Sequence, residues 1–376
     1  MSYRLSAVIQ SRLAMLSMYT AALRLSITLM IAVVTGFLVS TTHIKAQTPD
    51  STINLRGSGA RFPHPVYVDW FRQFTHQDND IFVHYGLSAS TDGIRDFLGN
   101  TVDFAASDIA IETEKLEGLK GGAVVLPVTA IQLVLIFNLP GIETLKLSRE
   151  AYAAIFMGKI QTWNHPSITA SNPEKKLPST RITVVTHTEN SGASYLLSGH
   201  LSSINDDFRE SIGMSQAPNW PRQPGFVRAA GSQGVAAKVR KIPGAIGYID
   251  HCFAEVTNLP EALLENHAGN FVKADVQSGA AALAEVEFPD ENLPGSNAPN
   301  LIAWIWDPKA GNAYPITSFS WLLLYAEQEN KKAQALREML SFILHSNSQA
   351  RAGQLGLVPL PENIRQKVLG AVDFVQ

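Results

Sequence analysis

Three short stretches of the 376-residue chain share one chemical design. Residues 57–62, 88–93 and 190–194 each place Gly, Ser, Thr or Asn between an apolar run and a segment with helical periodicity. A helix that begins at such a loop exposes unpaired backbone N–H groups and the positive end of its dipole, which together favour an anion. Small hydroxyl residues add donors there without bulk. Taken singly, each loop also reads as an ordinary set of helix caps; three in one chain point to an anion site. Catalytic chemistry finds less support. There is no Walker A pattern, no G-x-S-x-G, no H-E-x-x-H and no paired zinc-ligand spacing, so neither an enzyme nor a cofactor is expected. Ser191, His187 and Glu189 match a triad by residue type, but they lie within five positions of one loop, too close along the chain for relay geometry.

The elements that must position these loops alternate strand and helix, the pattern of an α/β protein with mostly parallel sheets. Pro65 opens a helix over 65–74, with Val66, Trp70, Phe71 and Phe74 at helical spacing. Strands are expected at 53–55, 81–85, 102–105, 182–185, 245–249 and 318–325. Residues 57–60 read as a turn, and 124–126 and 133–137 as two strands parted by Pro127. Further helices are expected at 149–157, stopped by Gly158, and at 195–201, 234–239 and 331–345. Residues 285–311, rich in Pro, Asn and Gly, read as surface loop around a short strand at 301–304. No internal repeat is evident.

Composition narrows the setting. Hydrophobic residues make up 45% and charged residues 17%, a globular balance with enough chain for two lobes. The formal charge is −3 and no Lys/Arg run occurs, which argues against a nucleic-acid partner. Residues 1–24 carry three Arg and no acid, and 25–39 (LSITLMIAVVTGFLV) form an apolar run shorter than the ~20 residues that span a bilayer. Residues 1–46 are therefore expected to be a signal peptide cut after Ala46, with an uncleaved anchor as the alternative. Its loss removes four basic residues and takes the chain to −7. Cys252 is the only cysteine, so no intrachain disulfide can form, and export to a periplasm is the expected location.

Longer matches then carry a resemblance. GSGARFPHPVYVDWF (57–71), NTVDFAASD (100–108), IFMGKIQTWNHPSI (155–168), NPEKKLPSTRITVV (172–185), PGAIGYID (243–250) and AYPITSFSWLLL (313–324) are ordered and spaced as in one family. The chain resembles the periplasmic phosphate-binding proteins of high-affinity phosphate ABC importers, from about Leu55 to Pro361. The resemblance implies a type II periplasmic-binding-protein fold, with 50–129 and 314–376 in one lobe and 130–313 in the other. It also implies a dehydrated oxyanion in the cleft between the lobes, permease and ATPase partners, and a monomer.

Carried over residue by residue, the resemblance places Asp108 on the family's proton-accepting Asp and Ser90 on the second-loop hydroxyl. Phe62 falls on a first-loop backbone donor, and Ser191 and Gly192 on the third loop. Such an Asp accepts the proton of hydrogen phosphate and repels sulfate, which has none to offer. The departures are equally specific. Arg61 replaces a Thr, His187 an Arg, Glu189 that Arg's carboxylate neighbour, and Ala193 a Thr. Thr91-Asp92 replaces a Gly-rich step and brings a carboxylate toward the second loop. A charge-assisted hydrogen bond contributes roughly 1.5–3 kcal/mol and a neutral one about 1, so an uncompensated loss of the Arg and one hydroxyl costs about 4–7 kcal/mol. That corresponds to about 10³–10⁵ in affinity. Either Arg61 reaches the cleft as a replacement cation, or the chain is a diverged relative tuned to another anion, or to a sensing or interaction role.

Overall fold

The structure is a computed structural model that describes residues 52–77 and 80–376; the expected leader and its cleavage site lie outside the described residues. Eight strands form one sheet: β1 (Ile53–Gly59), β2 (Ile81–Leu87), β3 (Phe104–Ser107), β4 (Ala123–Phe137), β5 (Thr183–His187), β6 (Phe226–Ala229), β7 (Ala245–Asp250) and β8 (Thr317–Tyr325). Their order is β2-β1-β3-β8-β4-β7-β5-β6. The outer triplets β2-β1-β3 and β7-β5-β6 are parallel, while β3-β8, β8-β4 and β4-β7 are antiparallel. The expected parallel sheets are thus two flanks of a single sheet, joined by two central strands.

β4 makes that join. Residues Ala123 to Gln132 pair with β8, and Leu133 to Phe137 pair with β7. Sequence reading split it at Pro127, which cannot donate to a ladder. The ladder absorbs the proline in a bulge: Trp321 faces Pro127 and Ser320 faces Thr129, so Val128 is skipped. All fifteen β4 residues are buried; of the two polar ones, Thr129 Oγ1 donates to the Val358 carbonyl at 3.0 Å and Gln132 Nε2 to Ser278 Oγ at 3.2 Å, while Gln132 Oε1 has no partner among the described residues. Burying each large apolar side chain of such a strand contributes about 1.5–3 kcal/mol.

Five helices follow the strands of the two triplets directly: α1 (His64–Gln77) after β1, α2 (Ser90–Leu98) after β2, α3 (Gly192–Ile204) after β5, α4 (Gly231–Lys241) after β6 and α5 (His251–Thr257) after β7. α1 has the expected apolar face, with Val66, Trp70, Phe71 and Phe74 buried and Trp70 Nε1 donating to the Ser348 carbonyl at 2.8 Å. The two triplets therefore repeat one topology, which no sequence repeat announces. Three antiparallel steps separate them, so their strands run in opposite senses, and because β8 and β7 pair with successive lengths of β4 their carboxyl ends face each other. Ligands of α/β sheets bind at such ends.

Two other expectations change. Residues 57–59 are not a turn but the end of β1, with the chain turning only after Gly59. Gly59 has φ 128°, and a Cβ on Gly93 would sit 2.7 Å from the Gly59 Cα; this contact brings the start of α2 onto β1. Residues 301–304 form no strand. Their place is fixed instead by aromatic packing, with Trp304 stacked on Trp306 at 4.7 Å and both rings against Tyr195 of α3.

Candidate functional site

The facing carboxyl ends enclose a cavity of about 500 Å³, and the residues around it are those that follow the six strands. Arg61, Phe62 and His64 come after β1, Leu87 and Ser90 from β2 and α2, and Asp108 after β3. From the other flank come His187 and Glu189 to Gly192, then Gly231 to Gln233, then Asp250 and Phe253. Five helix starts thus border one cavity, each bringing unpaired N–H groups and the positive end of a dipole. Three of these starts were legible as loops. Those of α4 and α5 were not singled out: α4 opens on Gly231-Ser232-Gln233-Gly234, a Gly/Ser stretch of the same kind that the sequence reading passed over, whereas α5 opens on His251-Cys252 with no such stretch.

Asp108 is 2% exposed, and among the described residues no cation pairs with it. Its backbone N–H donates to Ser90 Oγ at 3.0 Å, and Ser320 Oγ donates to its carboxylate at 2.7 Å, with the Tyr67 hydroxyl 2.9 Å beyond. Burial pushes the Asp108 carboxyl up to about 7. The Ser320 hydroxyl and the Phe62 N–H favour the ionised form, and the nearby Asp250 charge opposes it. Asp250 is 5% exposed, and burial lifts its carboxyl to about 6 against hydrogen bonds from the Phe253 N–H, its own backbone N–H and Ser232. Sequence analysis missed Asp250, which reads as the end of a strand or the cap of the next helix.

The third loop uses its charge internally. His187 Nδ1 lies 3.1 Å from Glu189 Oε1, and Nε2 lies 3.4 Å from the Tyr248 carbonyl, so both ring nitrogens face protein acceptors. Glu189 also accepts from the Gly231 N–H at 2.9 Å, capping α4, and from Thr188 Oγ1. Burial would raise the Glu189 carboxyl, but these donors hold it down at about 2. Ser191, 8% exposed, is the N-cap of α3, and its hydroxyl makes no hydrogen bond within the described residues. No bond joins Ser191 to His187, so the three side chains form no relay.

Arg61 borders the cavity and is exposed. Its Nε donates to the Ser88 carbonyl at 3.1 Å, and no described carboxylate lies within ion-pairing distance of it. Asp92 instead pairs with Arg95 at 2.8 Å and accepts from the Ala89 N–H, so it does not border the cavity as the sequence suggested. Ala193 is fully buried and does not border it either; its methyl cannot stand in for a hydroxyl. Phe62 and Gly192 approach each other across the cavity: a Cβ on Gly192 would lie 3.8 Å from the Phe62 ring. Of the expected residues, then, Arg61, Phe62, Ser90, Asp108, His187, Ser191 and Gly192 meet at one place.

Sheet topology, facing strand ends and a ring of helix starts define a binding protein of the periplasmic type. The family model described as the PBP superfamily domain matches residues 45–347. Relatives include the phosphate-binding protein PstS of Pasteurella multocida, 31% identical over 318 residues (84% of this chain, 88% of the relative). PstS of Methanocaldococcus jannaschii is 30% identical over 340 residues (87% of each). The chain belongs to the PstS family of substrate-binding transport proteins. Among solved structures, a high-affinity periplasmic phosphate-binding protein (PfluDING) bound with phosphate shares the fold. It has a TM-score of 0.67 and 22% identity, covering 85% of this chain and 93% of that one. The phosphate-binding protein of Stenotrophomonas maltophilia does likewise, at TM-score 0.62 and 20% identity, with 85% and 94% covered.

Proposed function

We propose that the protein captures inorganic phosphate in the periplasm as a monomer and delivers it to the permease and ATPase of an ABC importer, without chemistry of its own. The observation that carries this reading is Asp108: a buried carboxylate, with no cation partner among the described residues, at the cavity bordered by five helix starts. Such a group repels a fully ionised oxyanion and accepts a hydrogen bond from a protonated one. Ser90, Ser191, the Gly192 N–H and the Arg61 guanidinium supply donors. His187 steadies Glu189, and through it α4.

The halves that hold the ligand are assigned as 50–129 with 314–376 against 130–313, so that β4 and the segment leading into β8 cross between them. Bending at these two crossings would open and close the cavity. Export follows from the leader-like residues 1–46; among the described residues, no helix is long and apolar enough to cross a membrane.

The test is titration calorimetry of the wild type and Asp108→Asn with phosphate and sulfate. Wild type is expected to bind phosphate and reject sulfate, and the variant to lose most of that discrimination while still binding oxyanions. Equal phosphate-over-sulfate preference in both proteins would remove Asp108 from the role. Tight binding of another anion with none of phosphate would instead identify a diverged relative. Phosphoester hydrolysis assays should show no turnover.

A further inference from the structure

Asp250 repeats the placement of Asp108. Each aspartate stands at the carboxyl end of the third strand of its triplet, where that triplet meets the central strands: β3 beside β8, and β7 beside β4. Each is also joined to a serine at the start of the second helix of its half. Asp108 N–H donates to Ser90 Oγ at 3.0 Å, and Ser232 Oγ lies 3.4 Å from Asp250 Oδ2. Both carboxylates border the same cavity from opposite flanks, and both are almost fully buried. Asp250 Oδ1 caps α5 through the Phe253 N–H at 2.9 Å, which leaves acceptor capacity on Oδ2, whose contact with Ser232 is long.

We propose that Asp250 is the second half's counterpart of Asp108 by its place in the fold, although the serine contacts differ (the Asp108 N–H donates to Ser90 Oγ, whereas Ser232 Oγ donates to the Asp250 carboxylate), so that a bound oxyanion gives a hydrogen to a carboxylate on each side. This inference rests on the phosphate reading above and narrows it. Sulfate has no hydrogen to give and hydrogen phosphate has one; dihydrogen phosphate has two. The site therefore selects the monoanion. Binding from solution above neutrality, where phosphate is chiefly the dianion, takes up a proton from solvent. Cavity electrostatics agree: Asp108, Glu189 and Asp250 oppose Arg61 as the one Lys or Arg among the bordering residues, and a dianion is repelled more strongly than a monoanion.

Other titratable groups face Asp250. Asp108 lies across the cavity, with Arg61 and His64 on the same side, and burial lowers the His64 pKa. Glu189 stays ionised, beside His187. On α5, burial holds the Cys252 thiol at about 12, and Glu255 lies a turn further on. Burial would lower the pKa of His251, but Glu261 at 3.0 Å raises it. These groups contribute proton linkage of their own, so the difference between wild type and Asp250→Asn isolates Asp250.

The experiment is phosphate titration calorimetry on the whole protein from about pH 6 to 9, in two buffers of different ionisation heat, for wild type and Asp250→Asn. Asn is as good a helix cap as Asp, so α5 is preserved. Wild type is expected to take up about one proton per phosphate above neutrality, with Kd rising about tenfold per pH unit; the variant should lose most of both dependences. Phosphate binding by wild type with no proton uptake overturns this inference and leaves the phosphate reading standing. Equal uptake in wild type and variant does the same. Absence of phosphate binding at every pH overturns both.

Discussion

The structure predicts that the ligand-free protein becomes less stable as pH rises through neutrality, and that Asp108→Asn removes much of that loss. The Asp108 carboxyl titrates at about 7 in the folded chain, against an ordinary value of 3.8, because burial penalises its charge. Between these values the folded protein holds a proton that the unfolded chain has released. Stability contributed by this group is therefore complete below about pH 4 and disappears as pH climbs through about 7. At 1.36 kcal/mol per unit, a shift of about three units amounts to about 4 kcal/mol, a large share of the ~5–15 kcal/mol that holds a domain folded. Asn keeps an acceptor for Ser320 and carries no charge at any pH. The variant should match wild type near pH 4.5 and exceed it by several kcal/mol at pH 8. Urea unfolding in phosphate-free buffer at half-unit steps reads this directly. Glu189, held low, tilts both proteins alike, and the difference between them therefore reads Asp108 together with its charge coupling to Asp250. A wild-type-minus-variant difference that stays constant from pH 4.5 to 8 would refute the reasoning. Instability of this kind is the usual companion of a charge kept dry for a ligand.

Arg61→Ala should weaken phosphate binding at least tenfold, the loss of about one charge-assisted hydrogen bond, and by more than His187→Ala. Arg61 has unengaged guanidinium nitrogens at the cavity, whereas both His187 ring nitrogens already face protein acceptors. Calorimetry at one salt concentration decides it; wild-type affinity left untouched by Arg61→Ala would remove the guanidinium from the site. Gly93→Ala should force the start of α2 away from Gly59, because the new Cβ would lie 2.7 Å from the Gly59 Cα. Overpacking of this kind costs about 1–3 kcal/mol of stability. It also displaces Ser90, so affinity should fall in a protein that still folds; unchanged melting temperature and affinity together would show that the contact relaxes freely.

Local chemistry made much of this protein legible in its sequence. Helical spacing of Val66, Trp70, Phe71 and Phe74 fixed α1, because that face had to be buried. Loops 57–62, 88–93 and 190–194 announced anion chemistry, because unpaired N–H groups and small hydroxyls are properties of a few consecutive residues. Where the sequence reading broke down, the deciding partner was distant along the chain. Pro127 ends no strand because a bulge opposite Ser320 and Trp321 accommodates it. Asp92 is the exception: it turns from the cavity because Arg95, only one helical turn on, holds it. Asp250 follows the strand expected at 245–249 and carries no mark of a site until the sheet sets it opposite Asp108. Chemical type is written residue by residue, but dryness and proximity of charges arise only when β3 and β7, some 140 residues apart, are brought to face each other by β4 and β8.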